Sequence, residues 1–343
     1  MEEAYFRCVR ALLIPDSHIN LKDYRTGYEN HQIWKARIYG LQWFIGIISS
    51  MKATKLRKPI RISLIVVFVI GLGITAYLIY DRGRPAPVPV KRTMFEDAVT
   101  YHRRVYYLPR LVIAHVLVVD TKSNGFRLLV TPPDNSDGPP LNARTTTQFL
   151  DEFDVQIAIN GDGFQPWWSR GPLDYYPQTG DPVTPTGFTA SNGKIYAAGE
   201  NTEPVLYISR RGGLSFRKPG RVFNAIAGDR YLVQGGEKAA DLDNSERDPR
   251  TAVGFNKNGR WLYLVVVDGR QPLYSAGATF DELADILIAH GAYFGMSLDG
   301  GGSTTMVMEG ADGQPVILNS PIDQYVPGRE RPVANHIGIF LNR

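Results

Sequence analysis

The sequence predicts an α+β protein in which a mixed β-sheet domain with few helices follows one N-terminal transmembrane helix. Residues 62–80 carry no charge and are long and apolar enough to cross the hydrocarbon core of a bilayer. Short segments rich in β-branched and aromatic residues then alternate with glycine-containing turns, as strands do. Residues 261–299 combine an apolar run, a helical pattern and a second apolar run, which predicts a strand-helix-strand unit.

The N-terminal part of the chain divides around the apolar run. Residues 51–61 are a basic flank that starts at Met51 and resembles the n-region of a signal anchor. Positive charge on this side predicts that it is cytoplasmic and that the main domain lies outside the cytoplasmic membrane, to which a single span holds it. No small-residue cleavage site follows Tyr80, which favours an anchor that is retained.

The segments on either side of the anchor are interpreted from composition. Residues 1–50 precede Met51, which resembles a natural start, so we interpret them as an extension that the native protein lacks. Residues 81–97 contain the proline-rich sequence RPAPVPV and predict a stiff linker. The main domain then covers residues 98–343.

The charge distribution argues against a nucleic-acid partner. The 343 residues carry 38 Lys and Arg against 34 Asp and Glu, a net charge of +4. Residues 1–84 hold 13 of the basic and 6 of the acidic residues, leaving 25 and 28 for the rest of the chain. The main domain is therefore slightly acidic, without the basic stripe that a phosphate backbone requires.

Cysteine and histidine usage predicts neither a disulfide nor a required metal. Cys8 is the only cysteine, so the main domain has no thiol nucleophile or cysteine zinc site. His102, His115 and His336 lack the spacing of metal ligands and are interpreted as ordinary strand or loop residues. The Asp-Gly loops could hold a divalent cation such as Ca²⁺, but without EF-hand spacing we predict no obligatory cofactor.

The first half of the domain predicts strands, one short helix and a long loop. Residues 111–120 and 126–131 read as strands of a hairpin around Ser123-Asn124-Gly125. A helix at 145–153 and a strand at 155–159 follow, and Ser191-Asn192-Gly193-Lys194 predicts a second hairpin. The aromatic and proline-rich loop at 165–186 is long enough to cover a site, and its rings either stack on sugars or pack on one another.

The second half predicts two strand ends that each carry an Asp-Gly turn. The strand at 261–267 ends at Asp268, and the strand at 293–298 ends at Asp299. Between them, Thr279 and Glu282 predict a capping box, and Gly291 predicts the end of the helix. A right-handed parallel unit points both carboxyl ends the same way. If the strands are neighbours, about 4.8 Å apart, the two aspartates flank one crevice; the alternative is ordinary turn chemistry.

Five motifs in order resemble the phosphodiester glycosidase family over residues 98–342. They are Asn160-Gly161-Asp162-Gly163-Phe164, Arg250-Thr251, Asp268-Gly269-Arg270, Asp299 to Thr304 (DGGGST) and Glu330 to Asn335 (ERPVAN). The resemblance implies a hydrolase that cleaves the glycosidic bond of a sugar-1-phosphodiester. The lack of cysteines in the domain favours a bacterial-type member that acts on a glycan or glycolipid of the cell envelope.

The resemblance and the chemistry of the motifs together nominate the site residues. Asp268 and Asp299 are the catalytic candidates, because a carboxylate can stabilise charge at the anomeric carbon or activate water. Guanidinium groups, glycine amides and hydroxyls could bind the phosphate and the sugar. These candidates are Asn160, Asp162, Arg250, Arg270, Gly301, Gly302, Ser303, Thr304 and Arg331. Ser303 is not in a G-x-S-x-G elbow, which excludes a serine nucleophile of that kind.

Two other functions fit the same sequence. The aromatic loop also suits a non-catalytic envelope protein that binds polysaccharide or assists exopolysaccharide assembly. A metal-dependent phosphodiesterase that breaks the P–O bond is a third reading. The expected partners are a sugar phosphate or glycan and the membrane, and the sequence predicts no particular protein partner.

Overall fold

The computed structural model describes residues 58–199 and 204–342. The chain forms two compact units, and the second, which begins at Thr75, contains all the strands given below. The extension predicted for residues 1–50 and most of the basic flank lie outside the described residues. The predicted α+β class is confirmed, because the described residues are mostly β-sheet with a few helices.

Three α-helices occur in the described part of the chain: α1 (Lys58–Gly83), α2 (Thr146–Phe153) and α3 (Phe280–Ala289). A 3₁₀ turn covers Gly301–Ser303. Helix α1 contains a stretch of 20 residues, Ile62–Asp81, that is long and apolar enough to cross a membrane. The sequence-based prediction of one apolar N-terminal helix agrees with this element.

The strands are short and numerous. In chain order they are β1 (Val90–Met94), β2 (Val99–Tyr106), β3 (Val112–Asp120), β4 (Arg127–Val130), β5 (Leu141–Asn142), β6 (Ile157–Asn160), β7 (Phe164–Gln165), β8 (Trp168–Gly171), β9 (Asp174–Tyr176), β10 (Pro182–Pro185), β11 (Thr189–Ser191), β12 (Lys194–Ala197), β13 (Val205–Ile208), β14 (Leu214–Ser215), β15 (Asn224–Ala227), β16 (Arg230–Gln234), β17 (Glu237–Lys238), β18 (Arg250–Phe255), β19 (Trp261–Val267), β20 (Phe294–Ser297), β21 (Met306–Glu309), β22 (Pro315–Ile317), β23 (Ile322–Asp323), β24 (Val326–Pro327) and β25 (His336–Phe340).

Two of the sheets pack face to face between two helices. The larger has the order β1-β2-β3-β19-β18-β20-β16-β17, and the other has the order β22-β21-β6-β25-β4. Apolar residues from both sheets share one core, which also takes side chains from β13 and β15. Helix α3 packs on the outer face of the larger sheet and α2 on the outer face of the other. The layers are therefore helix, sheet, sheet, helix.

Strand β19 shows why these strands read as continuous apolar runs. Leu262, Leu264 and Val266 point into the core between the sheets. Tyr263, Val265 and Val267 point to the opposite face, toward α3. Because successive side chains of a strand alternate between faces, a strand covered on both sides must be apolar at every position.

The two short helices of the domain start with the predicted capping geometry. Thr279 accepts a hydrogen bond from the Glu282 amide, and the Glu282 side chain accepts one from the Thr279 amide. Thr145 and Gln148 make the same reciprocal pair at α2. Gly291 follows α3 in the left-handed region, at φ +97°, where a Cβ would be strained.

One predicted hairpin is wrong, and its failure has a topological cause. Strands β3 and β4 flank the Ser123-Asn124-Gly125 turn, but β3 pairs with β2 and β19, whereas β4 pairs with β25. Here the chain passes from one sheet to the other. The hairpin around Asn192-Gly193, by contrast, forms as predicted, with β11 paired to β12.

The strand-helix-strand unit requires a second correction. Strands β19 and β20 run in the same direction, because each is antiparallel to β18. They are not neighbours, however, since β18 lies between them. The start of β18 therefore meets the carboxyl ends of β19 and β20 at one edge of the sheet.

Candidate active site

A crevice of about 600 Å³ opens where the turn after β20 passes the start of β18. The Gly301 amide donates to the Pro249 carbonyl at 2.8 Å, which holds the turn against β18. The crevice is lined by Asp162, Gly163, Phe164, Trp167, Thr186, Gly228, Asp229, Asp248, Arg250, Arg270, Phe280, Leu298, Asp299, Gly300, Gly301, Gly302 and Arg331. Charged groups of both signs thus meet around glycine backbone.

The two glycine-rich turns of the sequence meet at this crevice. The Asp299 amide donates to the Gly161 carbonyl at 2.9 Å, and the Asn160 side-chain amide donates to the Asp299 carbonyl at 2.7 Å. A Cβ at Gly161 would lie 2.2 Å from Asn335 Oδ1, so only glycine allows this close approach. The two glycine-rich turns, which are far apart in the sequence, are therefore adjacent in the fold.

Asp299 is a half-buried carboxylate in the crevice wall. Its Oδ2 accepts a hydrogen bond from Ser303 Oγ at 2.5 Å. Burial raises the pKa of Asp299 above its ordinary value of 3.8, and the neighbouring Asp229 adds to the rise, while Ser303 and Arg331 oppose it. A carboxylate whose charge is disfavoured by burial is suited to proton transfer or to attack on a cationic centre.

Arg250 brings a buried cation to the same crevice. Its guanidinium donates to the carbonyls of Ala278 and Glu246 at 3.1 Å each and lies 3.8 Å over the Phe280 ring. Within the described residues no carboxylate lies within salt-bridge distance of it. Burial lowers the pKa of Arg250 from its ordinary value, with Asp248 opposing the shift. A buried guanidinium without an ionic partner is a site for an anion.

The other two arginines of the crevice are already paired. Arg270 makes a two-pronged contact with Asp248, with both N–O distances at 2.9 Å. Arg331 binds the buried Asp323 at 2.8 Å and donates to Ser303 Oγ at 3.3 Å. The crevice therefore contains three arginines, but only Arg250 has its charge uncompensated by a direct partner among the described residues.

Asp268 does not share the crevice with Asp299, contrary to the sequence-based expectation. It is 1% exposed and does not line the crevice. Its carboxylate accepts hydrogen bonds from the Ser320 amide at 2.7 Å and the Asn319 side chain at 3.2 Å, and lies 3.0 Å from His115 Nε2. The alternation along β19 points Asp268 between the sheets, and β18 separates its strand from β20.

Several predicted binding residues are buried, and their side chains make hydrogen bonds that stabilise the turns. Asn160 is fully buried, and its Oδ1 accepts from Thr251 and from the Thr305 amide. The Asp162 carboxylate lines the crevice but accepts from the Gly163 and Gly187 amides at 2.8 and 2.7 Å. Ser303 and Thr304 are each 1% exposed, and neither lines the crevice.

Comparison with known proteins identifies the family. The family model for phosphodiester glycosidase matches residues 153–340, more than half of the chain. The chain belongs to the phosphodiester glycosidase family. All of the sequence-predicted site residues, from Asn160 to Arg331, lie inside the matched region.

Solved structures from several organisms are similar to this chain at low sequence identity. The catalytic domain of zebrafish N-acetylglucosamine-1-phosphodiester alpha-N-acetylglucosaminidase, auto-inhibited by its pro-peptide, is 20% identical, with a TM-score of 0.49 over 76% of this chain and 86% of that chain. A Synechocystis protein is 17% identical, with a TM-score of 0.45 over 75% and 65%. A Burkholderia pseudomallei protein is 15% identical, with a TM-score of 0.49 over 70% and 76%. No curated protein matches the sequence.

The structure adds crevice residues that sequence reasoning missed. Asp229 lines the crevice, and its amide donates to the Ser297 carbonyl at 3.0 Å at the end of β20. Asp248 lines it as the partner of Arg270. Asp229 follows Gly228 after an apolar strand, the same Asp-after-strand signal that singled out Asp268 and Asp299, but without a glycine after it. Asp248 lies in a polar loop, and no sequence pattern there predicted a functional residue.

The described residues contain no group of three or more His, Cys, Asp or Glu side chains arranged to hold a metal ion. The possible divalent cation of the sequence analysis therefore gains no ligand set in residues 58–199 and 204–342. The absence of an obligatory cofactor stays a prediction, which metal analysis of the purified protein would test.

Proposed function

We propose that this member hydrolyses the glycosidic bond of a sugar-1-phosphodiester, a glycan or glycolipid, outside the cytoplasmic membrane to which α1 anchors it. The observation that carries the proposal is that one crevice contains both the Arg250 guanidinium, which has no ionic partner among the described residues, and the Asp299 carboxylate. An anionic phosphate group and an anomeric carbon that becomes cationic need these two opposite charges side by side.

Arg250 is assigned to the phosphate. Its buried guanidinium can donate hydrogen bonds to phosphate oxygens, and its contact with the Phe280 ring fixes the plane of the group. Gly300 lies against the start of β18, where a Cβ would come within 2.8 Å of the Pro249 carbonyl oxygen, so glycine lets the turn lie close to Arg250. The Gly302 amide is the nearby backbone group that could complete an oxyanion site, because the Gly301 amide already donates to the Pro249 carbonyl.

Asp299 and Asp229 are assigned to the sugar side. The C–O bond breaks, the phosphate monoester leaves with the electron pair, and the anomeric carbon takes a water oxygen. One carboxylate faces that carbon and the other accepts the proton that water loses. Asp299 is proposed for the first role because Ser303 and the turn fix it, and Asp229, which is more exposed, for the second. Asp268 instead supports the turn through Asn319, which donates to the Thr304 carbonyl at 3.1 Å.

Trp167 is assigned to the sugar ring. Its exposed side chain lines the crevice, and the Arg331 guanidinium lies 5.1 Å from the ring centre. This favours the first of the two readings of the aromatic loop, in which the loop contributes a stacking surface for carbohydrate.

The test is hydrolysis in oxygen-18 water by the full chain in detergent. The substrate is the methyl phosphodiester of N-acetylglucosamine-1-phosphate, alongside UDP-N-acetylglucosamine. Cleavage at the anomeric carbon places the label in the released sugar. Label in the phosphate would contradict the proposal and support the phosphodiesterase reading.

A second candidate function is polysaccharide or sugar-phosphate binding without turnover. The exposed Trp167 and Trp168 favour it, because aromatic platforms also serve binding proteins. Calorimetric binding of the same phosphodiester with no product after prolonged incubation would support this candidate over the enzyme.

A further inference from the structure

Four loop tips of the domain expose large apolar side chains almost completely. Leu173 is 97% exposed, Leu108 and Leu273 are each 88% exposed, and Tyr325 is 75% exposed. We name these four residues the apolar tips. Leu273 and Tyr325 are also in the left-handed region, at φ +67° and +57°, which non-glycine residues rarely adopt. The packing of the domain itself does not explain these exposed apolar side chains, nor the strained backbone at Leu273 and Tyr325.

The tips at Leu273 and Leu108 are tied to the end of α1 and the start of the linker. Next to Leu273, Gln271 accepts a hydrogen bond from the Tyr80 hydroxyl at 2.8 Å. On its other side, the Tyr274 hydroxyl donates to the Pro85 carbonyl at 2.9 Å, and Arg84 lies 3.9 Å over the Tyr274 ring. Beside Leu108, the Tyr107 hydroxyl donates to the Pro87 carbonyl at 3.4 Å. Both tips therefore border the linker.

The other two tips belong to the same neighbourhood. Tyr325 lies on the turn between β23 and β24, and Gly328, which follows β24, is within 3.5 Å of the Tyr80 ring, measured from the position of a Cβ. Leu173 is linked to this hairpin because Arg329, next to Gly328, donates to the Pro172 carbonyl at 2.7 Å. All four apolar tips thus lie on loops that contact the end of α1, the start of the linker or one another.

We propose that the face bearing the apolar tips lies on the lipid bilayer, so that the domain contacts the membrane surface directly as well as through its anchor. The apolar helix ends inside this face, which makes the face continuous with a segment of membrane-spanning length. Isolated leucines on separate loops suit a fluid apolar medium, and tyrosine and tryptophan favour the bilayer interface. Trp168, under the Arg170 guanidinium, adds such a residue beside the Leu173 turn.

The crevice opens beside the same face. Arg270 lines the crevice and lies 5.8 Å from the Tyr325 ring, and Trp167 of the lining is the neighbour of Trp168. Resting on the proposed function, this placement assigns a lipid-linked class of substrate: a sugar-1-phosphodiester whose aglycone stays in the bilayer while the sugar and phosphate enter the crevice. The docking itself does not depend on that activity.

Insertion is tested on the full chain in vesicles of phosphatidylethanolamine and phosphatidylglycerol. In a Cys8→Ser background, Leu173→Cys and Leu273→Cys are labelled with an environment-sensitive fluorophore. Ile195→Cys is the matched control, because Ile195 is an exposed apolar residue, 52% accessible, on β12. We expect blue-shifted emission and quenching by lipids brominated on their acyl chains at both tips and not at Ile195. Emission and quenching at both tips indistinguishable from Ile195 would overturn the proposal.

The substrate class is tested with matched hexadecyl and methyl phosphodiesters of N-acetylglucosamine-1-phosphate. Replacing both Leu173 and Leu273 by serine should lower kcat/KM for the hexadecyl ester in vesicles by about tenfold, the scale of losing apolar contact with lipid. The methyl ester should be cleaved at the wild-type rate. An equal effect on both esters, or on neither, would refute a lipid-linked substrate. Absence of cleavage of the methyl ester by the wild-type chain would instead refute the proposed function, leaving the fluorescence result to decide the docking.

Discussion

The ends of β19 and β20 look alike in sequence and differ in environment. Each is a buried apolar strand closed by Asp-Gly, at Asp268 and at Asp299. Asp268 is held between the sheets by Ser320, Asn319 and His115. Asp299 stands in the crevice wall with Ser303 as its hydroxyl donor. The difference shows that a carboxylate at a strand end lies in the core or in the crevice wall according to the face of the sheet onto which it projects.

Strand β18, which lies between β19 and β20, accounts for the rest of the difference between the two aspartates. Strand β18 runs antiparallel to both, so its first residue, Arg250, stands at the edge where β19 and β20 end. Arg250 takes the position beside Asp299 that sequence reasoning gave to Asp268. The functional pair in our account is therefore a carboxylate and a guanidinium from adjacent strands.

The largest expected effect is the loss of turnover in Asp299→Asn. We expect kcat to fall by about 10²–10⁴-fold, the range for removing a carboxylate that acts in proton transfer or at the reacting centre. Steady-state kinetics on the methyl phosphodiester measures it. Asp312→Asn, on the exposed hairpin between β21 and β22, is the control and should behave as wild type. Wild-type turnover in Asp299→Asn would remove the distinction between the two strand ends.

Replacing Arg250 tests the other half of the functional pair. Arg250→Gln should lower kcat/KM by about 10²–10³-fold, because one fixed donor to developing negative charge is lost. Its melting temperature should fall only slightly, because the hydrogen bonds to the Ala278 and Glu246 carbonyls are lost but no carboxylate among the described residues loses an ionic partner. Arg260→Gln is the control: Arg260 lies near the other end of the same strand pair and binds Asp120 on the surface. Equal activity in the Arg250 and Arg260 variants would contradict the assignment.

Asp268→Asn should act mainly on stability. The side-chain N–H of the introduced asparagine would face one of the groups that now bond the carboxylate, namely Ser320, Asn319 or His115. We expect this to lower the free energy of unfolding by about 1–3 kcal/mol. Chemical denaturation monitored by tryptophan fluorescence measures this loss. The folded variant should keep most of its kcat. Unchanged stability with turnover lost would return Asp268 to the catalytic role that the sequence suggested.

The smallest expected effect is the contribution of Asp299 to the pH dependence of stability. Burial raises the pKa of this carboxyl in the folded protein, so the folded state binds the proton more readily than the unfolded state. Wild-type stability should therefore fall as the pH rises from the ordinary value of 3.8 through the raised one, and Asp299→Asn should lack this loss. Thermal melts should show the variant to be more stable at neutral pH, with the difference vanishing in acid. A difference that is constant with pH would argue against a burial cost at Asp299.

The sequence predicted the local elements well because their causes are local. The capping pair Thr279 and Glu282, the left-handed Gly291 and the Asn192-Gly193 hairpin are all set by residues within a few positions of each other. The placement of Asp299, Gly301 and Gly302 in the crevice followed from the glycine-rich turn at a strand end.

The failures concern pairings between distant segments. Nothing in the Ser123-Asn124-Gly125 turn reveals that β3 and β4 belong to different sheets. Nothing near Asp268 reveals that β18 separates β19 from β20, or that Asn319 and Ser320 reach its carboxylate. Long-range strand order and burial therefore determined which of the predicted residues reach the crevice.

The decisive experiment is a crystal structure of Asp299→Asn with the methyl phosphodiester bound. We expect the phosphate to contact the Arg250 guanidinium and the anomeric carbon to face residue 299. We also expect Asp268 to stay bonded to Asn319 and Ser320, out of contact with the ligand. A sugar or phosphate in contact with Asp268, or a phosphate bound away from Arg250, would contradict these assignments.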